Sequence, residues 1–243
     1  MSNFLGDAFD SVRRSALDAA RRALPQRCEL CAGASGSELL CRGCLQSLPR
    51  LGPACPVCAV PTSDGEVCDR CTVHAPPFDA TIAAFAYAFP VDRLMHAFKY
   101  HGRLALAEWC AEAIGAARER RGLALPQRLV ALPLSQERQR ERGYNQAFEI
   151  GRVLARELAI GLVRGGVRRE RSSPPQAALP WTERAKNVRG AFSCELDLKG
   201  STVAIVDDVM TTGASLAEFA RTLKRSGATR VENWVVARTL PPV

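Results

Sequence analysis

The chain is poor in aromatic residues and in long apolar runs, and each shortage excludes something. Aromatics make up 6% of 243 residues, and Trp109, Trp181 and Trp234 are scattered. The interleaving of aromatic and basic residues that stacks bases along single-stranded nucleic acid is therefore missing. No window approaches the roughly 18 consecutive apolar residues of a membrane-spanning helix. Met1 to Pro25 reads as an amphipathic helix, with Phe4, Leu5, Phe9, Val12, Leu17 and Leu24 among charges, and lacks the uninterrupted apolar core of a signal peptide. The expectation is a cytoplasmic protein with no membrane partner. Thiols stay reduced in that compartment, so the ten cysteines need a reason other than disulfides.

Eight of them form four Cys-x-x-Cys pairs: Cys28 and Cys31, Cys41 and Cys44, Cys55 and Cys58, Cys68 and Cys71. Each pair can turn two thiolates toward one metal ion, and two pairs complete a tetrahedral sulfur site of the kind zinc prefers. Eight thiolates thus make two structural sites. Spacers of 9, 10 and 9 residues favour sequential ribbons over a cross-braced pairing, and thiolate spacing does not separate zinc from an iron–sulfur cluster. Few apolar residues lie between the pairs, so a module over 27–77 draws its stability from metal. His74 reads as a surface residue beside an already complete ligand set. Cys110 and Cys194 fall at helix and strand spacing among apolar residues, as packed thiols do.

A chain of this length can bury a core in one large domain or two small ones. Residues 1–80 carry 8 Lys/Arg and 9 Asp/Glu, against 25 and 16 for residues 81–243. The whole of the +8 net charge therefore belongs to the second part, which suits a polyphosphate and equally a nucleic acid.

The most informative stretch there is Val203-Ala204-Ile205-Val206-Asp207-Asp208-Val209-Met210-Thr211-Thr212-Gly213-Ala214-Ser215. Its apolar, mostly β-branched start reads as a strand buried on both faces, and Leu216, Phe219, Ala220 and Leu223 follow at helical spacing. The two acids and the small residues are thus expected on a strand-to-helix turn, where open α/β sheets bind ligands. Thr211, Thr212, Gly213, Ala214 and Ser215 are short enough to close around a phosphate. Asp207 and Asp208 would repel one and must face sugar hydroxyls or a divalent cation.

Around this stretch, a strand is expected over Asp79 to Phe89, helices over Val91 to Tyr100 and about Leu104 to Arg120, and a buried strand over Leu129 to Leu134. Ser135 to Gln146 reads as an arginine-rich loop, with Asn145 capping the next helix. A third strand is expected over Leu162 to Val167 and another over Ala191 to Leu196, with a long polar excursion between them; Thr229 to Arg238 reads as an edge strand. The excursion, about 168–190, has the length of a mobile lid. Lys99, beside a glycine turn, is placed either to reach phosphate or to cap a helix end.

The Asp207–Ser215 stretch resembles the phosphoribosyl pyrophosphate (PRPP) signature of type I phosphoribosyltransferases. Taken with the cysteine pairs, Phe98-Lys99-Tyr100, Leu132-Pro133-Leu134, Arg142-Gly143-Tyr144-Asn145-Gln146, Pro174-Pro175-Gln176 and Arg184-Ala185-Lys186-Asn187, it resembles the ComF family over about residues 28 to 239. Two departures are visible. Ala32, Leu45, Ala59 and Thr72 stand where a glycine often follows the second cysteine, and Met210 stands where a β-branched residue is usual.

The resemblance implies an α/β protein of type I phosphoribosyltransferase fold, Rossmann-like with a mainly parallel sheet over 78–243, behind an N-terminal double zinc ribbon. It implies two structural Zn²⁺ ions, PRPP with Mg²⁺ as ligands, and a link to natural transformation through single-stranded DNA. Under that reading Thr211 to Ser215 hold the 5-phosphate, and Asp207 and Asp208 the ribose hydroxyls, directly or through Mg²⁺. Arg138, Arg142, Asn145 and Gln146 hold the pyrophosphate, with Arg184 or Lys186 arriving from the lid. The alternative is a catalytically silent PRPP sensor or scaffold that binds single-stranded DNA and a competence helicase.

Overall fold

The computed structural model describes residues 26–170 and 188–241; the expected N-terminal helix over 1–25 and the candidate lid residues Arg184 and Lys186 lie outside them. The chain divides between Leu48 and Pro49 into two compact units. The first contains an antiparallel pair, β1 (Gln26–Arg27) and β2 (Ala34–Gly36), and a short helix α1 (Arg42–Gln46) that begins just after Cys41. None of the five residues of α1 is buried; among the described residues of this unit Cys28, Leu40 and Leu48 are.

The larger unit opens with the second cysteine ribbon, which ends in α2 (Asp69–Val73), and continues into an α/β domain. Strands β3 (Ala80–Ala86), β4 (Arg128–Ala131), β5 (Gly161–Leu162), β8 (Thr202–Met210) and β9 (Arg230–Arg238) form one sheet in the order β3-β9-β8-β4-β5, and every adjacent pair is parallel. Helices α3 (Val91–Tyr100), α4 (Leu106–Arg121), α5 (Gln136–Arg142), α6 (Gln146–Glu157) and α7 (Ala214–Arg225) fill the crossovers, and β6 (Val167–Arg169) pairs antiparallel with β7 (Phe192–Cys194).

The central strands are apolar without alternation because helices cover both faces. Val203 and Ile205 of β8 pack in one cluster with Leu216, Phe219 and Leu223 of α7. On the other face α6 lies against β8 and β4. It comes close because Gly151 has no side chain: a Cβ there would stand 3.1 Å from Leu162 and 3.9 Å from Val206. Cys110 is fully buried in α4, as expected of a packed thiol, and Cys194 is partly buried.

Four readings need correction. The strand expected over Leu162 to Val167 is two pieces in different sheets, β5 ending at Leu162 and β6 starting at Val167. Thr229 to Arg238 is not an edge strand: β9 pairs with β3 on one side and β8 on the other. Its polar residues find partners inside the protein, with Asn233 Nδ2 donating to Thr81 Oγ1 at 3.1 Å and Glu232 accepting from Trp234 Nε1 at 3.1 Å. The arginine-rich Ser135–Gln146 segment is largely helical, since Ser135 caps α5 by accepting from the Arg138 amide. No residue of α5 is buried, so no apolar period announced it. Finally, β8 runs on through Asp207 and Asp208 to Met210, because β9 is equally long and continues the ladder as far as Arg238. The acids therefore stand on the end of a strand, and only 211–213 form the turn.

The edge of the sheet at β3 is covered by the second ribbon. Ala86 N–H donates to Pro49 O at 2.8 Å and Thr81 N–H to Pro56 O at 3.0 Å, satisfying groups that an open edge would leave unpaired.

Candidate functional site

Beyond the carboxyl ends of β8 and β4, a cavity of about 340 Å³ gathers residues from every crossover. Asp207 and Asp208 enter from β8, Gly213, Ala214 and Ser215 from the turn and the start of α7, Lys99 from α3, Arg138 and Arg142 from α5, and Asn145 and Gln146 from the start of α6. Thr211 lines it as well. Thr212 does not; it is buried and accepts from the Ala214 amide at 3.2 Å, fixing the turn from behind. Gly213 takes φ +80°, and a Cβ there would come within 2.6 Å of Met210 Cε, so the sharp entry into α7 requires glycine.

Electrostatics divide the cavity in two. At its floor Asp208 is 7% exposed and its Oδ2 lies 2.9 Å from Lys99 Nζ. Burial alone would lower Lys99, but the carboxylates of Asp208 and Asp207 raise it, so the ammonium stays charged. Burial and the adjacent Asp208 push Asp207 up to about 7, against the pull of Lys99. Across the cavity Arg138, Arg142 and Arg169 add three more cations. Arg142 donates from Nη1 to Gln146 Oε1 at 3.0 Å and lies over the Tyr100 ring at 5.3 Å, while its buried Nε has no acceptor among the described residues. Four cations against two carboxylates, beside a helix N-terminus, suit a ligand carrying several phosphates.

Asn145 has a second task. Its Oδ1 accepts from the amides of Ala147 and Phe148 as the expected cap of α6, and its Nδ2 donates to Leu132 O at 3.0 Å, tying the helix start to the end of β4. Sequence reasoning missed Arg169, Tyr87 and Tyr100 as lining residues. Arg169 was absorbed into the polar excursion, and its position in β6 follows only from the long-range pairing with β7.

The two metal groups are separate and sequential: Cys28, Cys31, Cys41 and Cys44 in one, Cys55, Cys58, Cys68 and Cys71 in the other, the four sulfurs of each within 4.8 Å of one another. Sulfur separations of 3.7 Å between Cys31 and Cys41 and 3.6 Å between Cys58 and Cys68 match the edge of about 3.8 Å expected for a tetrahedron with Zn–S of about 2.3 Å. Such a shell closes on a single ion, whereas a multi-iron cluster would hold its thiolates further apart. Burial raises Cys28, yet the amides of Cys31, Cys41 and Leu30 bring it down to about 6. Cys55, also raised by burial, is held at about 7 by the amides of Cys68, Cys58 and Val57. Both are ready to ligate as thiolates. His74 is exposed and belongs to neither group.

This geometry is that of a phosphoribosyltransferase-type α/β domain joined to two four-cysteine zinc ribbons. Residues 19–72 match the double zinc ribbon domain family and residues 145–240 the phosphoribosyl transferase domain family. DNA utilization protein YhgH of Escherichia coli (strain K12) is 34% identical over 224 residues, covering 89% of this chain and 99% of that protein. Competence protein F of Haemophilus influenzae is 30% identical, covering 82% and 90%, and competence protein ComFC of Bacillus subtilis 28%, covering 83% and 85%. The chain belongs to the ComF family. Both metal groups are accordingly structural zinc sites, whose four thiolates leave no open position for chemistry. Among the described residues no helix is long and apolar enough to cross a membrane.

Proposed function

We propose that the protein is a ComF-type phosphoribosyltransferase of the cytoplasm that binds PRPP with Mg²⁺ and acts in DNA uptake. The observation that carries this reading is the divided cavity, with adjacent carboxylates and Lys99 at the floor, three arginines across from them and a glycine turn opening a helix between the two. Each part of PRPP finds its chemical complement there. Amides and hydroxyls of Thr211, Gly213, Ala214 and Ser215 take the 5-phosphate. Asp207 and Asp208 accept from the ribose hydroxyls, and Arg138, Arg142 and Arg169 meet the pyrophosphate.

The donor set also fits Mg²⁺, which takes one or two carboxylates and completes its shell with substrate oxygens. When bound it would neutralise pyrophosphate charge. Asp207 and Asp208 would hold it, and Lys99, now against Asp208, would then turn toward the pyrophosphate. In the transfer the bond from the anomeric carbon to pyrophosphate breaks as the acceptor's bond forms, and positive charge develops on the sugar ring. The carboxylates stabilise that charge from beneath and the arginines stabilise the departing anion, so the protein acts by position and field. The role in DNA uptake rests on what the relatives are called, and single-stranded DNA and a competence helicase are the partners it suggests.

The test is PRPP binding by calorimetry with and without Mg²⁺, followed by pyrophosphate release as acceptors are added, single-stranded DNA included. Acceptor-dependent release is expected. Binding without release under every acceptor would make the protein a sensor or scaffold, and no binding would overturn the site.

A further inference from the structure

Arg238 closes β9 with a side chain only 1% exposed, and the acceptors of its hydrogen bonds are backbone groups, not carboxylates. Its guanidinium instead lies among carbonyl oxygens. Nε donates to Cys58 O at 2.9 Å, and Nη1 donates to Met210 O at 3.2 Å, to Thr239 O at 2.5 Å and to Thr211 O. Cys58 is a ligand of the second metal group, and Met210 and Thr211 lead into the turn proposed to hold the 5-phosphate. One side chain therefore spans the ribbon and the ligand loop.

A buried, unpaired cation is costly unless opposite charge lies near. Four thiolates around one Zn²⁺ carry a net charge of about −2; burial and the Arg70 cation lower Arg238, and the thiolates of Cys58, Cys71 and Cys68 pull against them. The metal centre thus stabilises the arginine, and the arginine holds the loop carbonyls. Arginine suits this place because its rigid fork reaches acceptors in several directions at once; a lysine ammonium keeps the charge but not the fork. Packing runs the same way, since Cys55, Cys58, Cys71, Phe78 and Met210 share one apolar cluster.

We infer that Arg238 is a positioning residue that couples zinc occupancy of the Cys55, Cys58, Cys68 and Cys71 site to the geometry of the 210–213 loop, and so to PRPP affinity. The inference rests on the PRPP reading of the cavity. Coupling of this kind is reciprocal: if the loaded ribbon favours PRPP, bound PRPP holds the zinc.

The experiment follows zinc release from the intact protein, driven by a mercurial thiol reagent and read with a colorimetric zinc indicator, with and without PRPP and Mg²⁺. Calorimetry on the same sample establishes whether PRPP binds. The expected result is that PRPP slows release of one of the two ions by about 10-fold, within the usual range of such couplings. The protection should persist in a Cys28→Ser/Cys31→Ser variant, which keeps only the second site. Arg238→Lys should retain both zinc ions, lose the protection and bind PRPP about 10-fold more weakly. PRPP that binds the wild type without altering either release phase overturns the coupling, as does full protection in Arg238→Lys. Absence of PRPP binding overturns the functional reading and the coupling with it. Should Arg238→Lys fail to fold, the wild-type release rates decide the matter.

Discussion

The two cysteine ribbons use the same ligands at the same spacing and make different structures of them. Each closes two Cys-x-x-Cys pairs across nine residues, and each follows its first pair with an alanine in the left-handed region, Ala32 at φ +58° and Ala59 at φ +56°. Around the first group only Cys28 of the four ligands is buried; in the second Cys55, Cys58 and Cys71 are, within the apolar cluster that also holds Val235 and Phe219. A metal knuckle is thus indifferent to its surroundings. The first site's ligands lie mostly outside any apolar cluster, whereas those of the second are built into the core.

The widest separation between the ribbons should come from removing their ligands. Cys55→Ser with Cys58→Ser is expected to release one zinc ion, lower the melting temperature of the larger unit and abolish PRPP binding. The same change at Cys28 and Cys31 is expected to release one ion and unfold the smaller unit, leaving PRPP affinity within about 2-fold, because the cavity belongs wholly to the other compact unit. Zinc content, thermal melts and calorimetry on both variants check this. Equal loss of PRPP binding in the two would erase the distinction.

A smaller effect is expected from the cavity floor. Asp208→Asn should weaken PRPP–Mg²⁺ binding by about 100-fold, or ~3 kcal/mol, while the protein stays folded and retains two zinc ions. Unchanged affinity by calorimetry would remove Asp208 from the site.

Asp207 makes the opposite kind of contribution. Its folded value of about 7 lies above the ordinary carboxylate range, so the folded state keeps a proton that the unfolded state has lost. Stability accordingly falls as pH rises from about 4 to 7, and the penalty is complete above that. Asp207→Asn carries no such penalty. It should melt several °C higher than wild type at pH 8, with a smaller gain at pH 5 and with PRPP–Mg²⁺ binding lost. Thermal melts at the two pH values provide the check, and a gain independent of pH would show that charge is not its cause.

What could be read from the sequence follows from range. The four cysteine pairs, the bounds of α3 and the Asn145 cap are local patterns, and the structure reproduces them. The inner position of β9 was not legible, because Val231 to Ala237 looks the same whether one neighbour or two lie beside it. Helix α5 has no buried face to print a period, and Arg169 and Arg238 acquire their places only through pairing with residues far away in the chain. Arg238 in particular is a basic residue near a terminus, which in sequence terms is ordinary surface. Its burial is a product of the ribbon folding back on the sheet.

The smallest test separates the ribbons at a single carbon atom. An alanine in the left-handed region is strained by about 1–2 kcal/mol, and glycine removes that strain at some cost in chain entropy, so both alanines are candidates for stabilising replacement. They differ in what the methyl group touches. Ala32 is exposed and its methyl contributes nothing to packing, so Ala32→Gly should keep most of the gain, about 1 kcal/mol, and tighten zinc at the first site by about 5-fold in a chelator competition. Ala59 is 2% exposed, and removing a buried methyl gives back about 0.8 kcal/mol. Ala59→Gly should therefore be close to neutral in the same competition. If both replacements tighten zinc alike, the second ribbon is less firmly built into the core than its burial indicates, and the contrast between the two ribbons narrows to the contacts of Arg238.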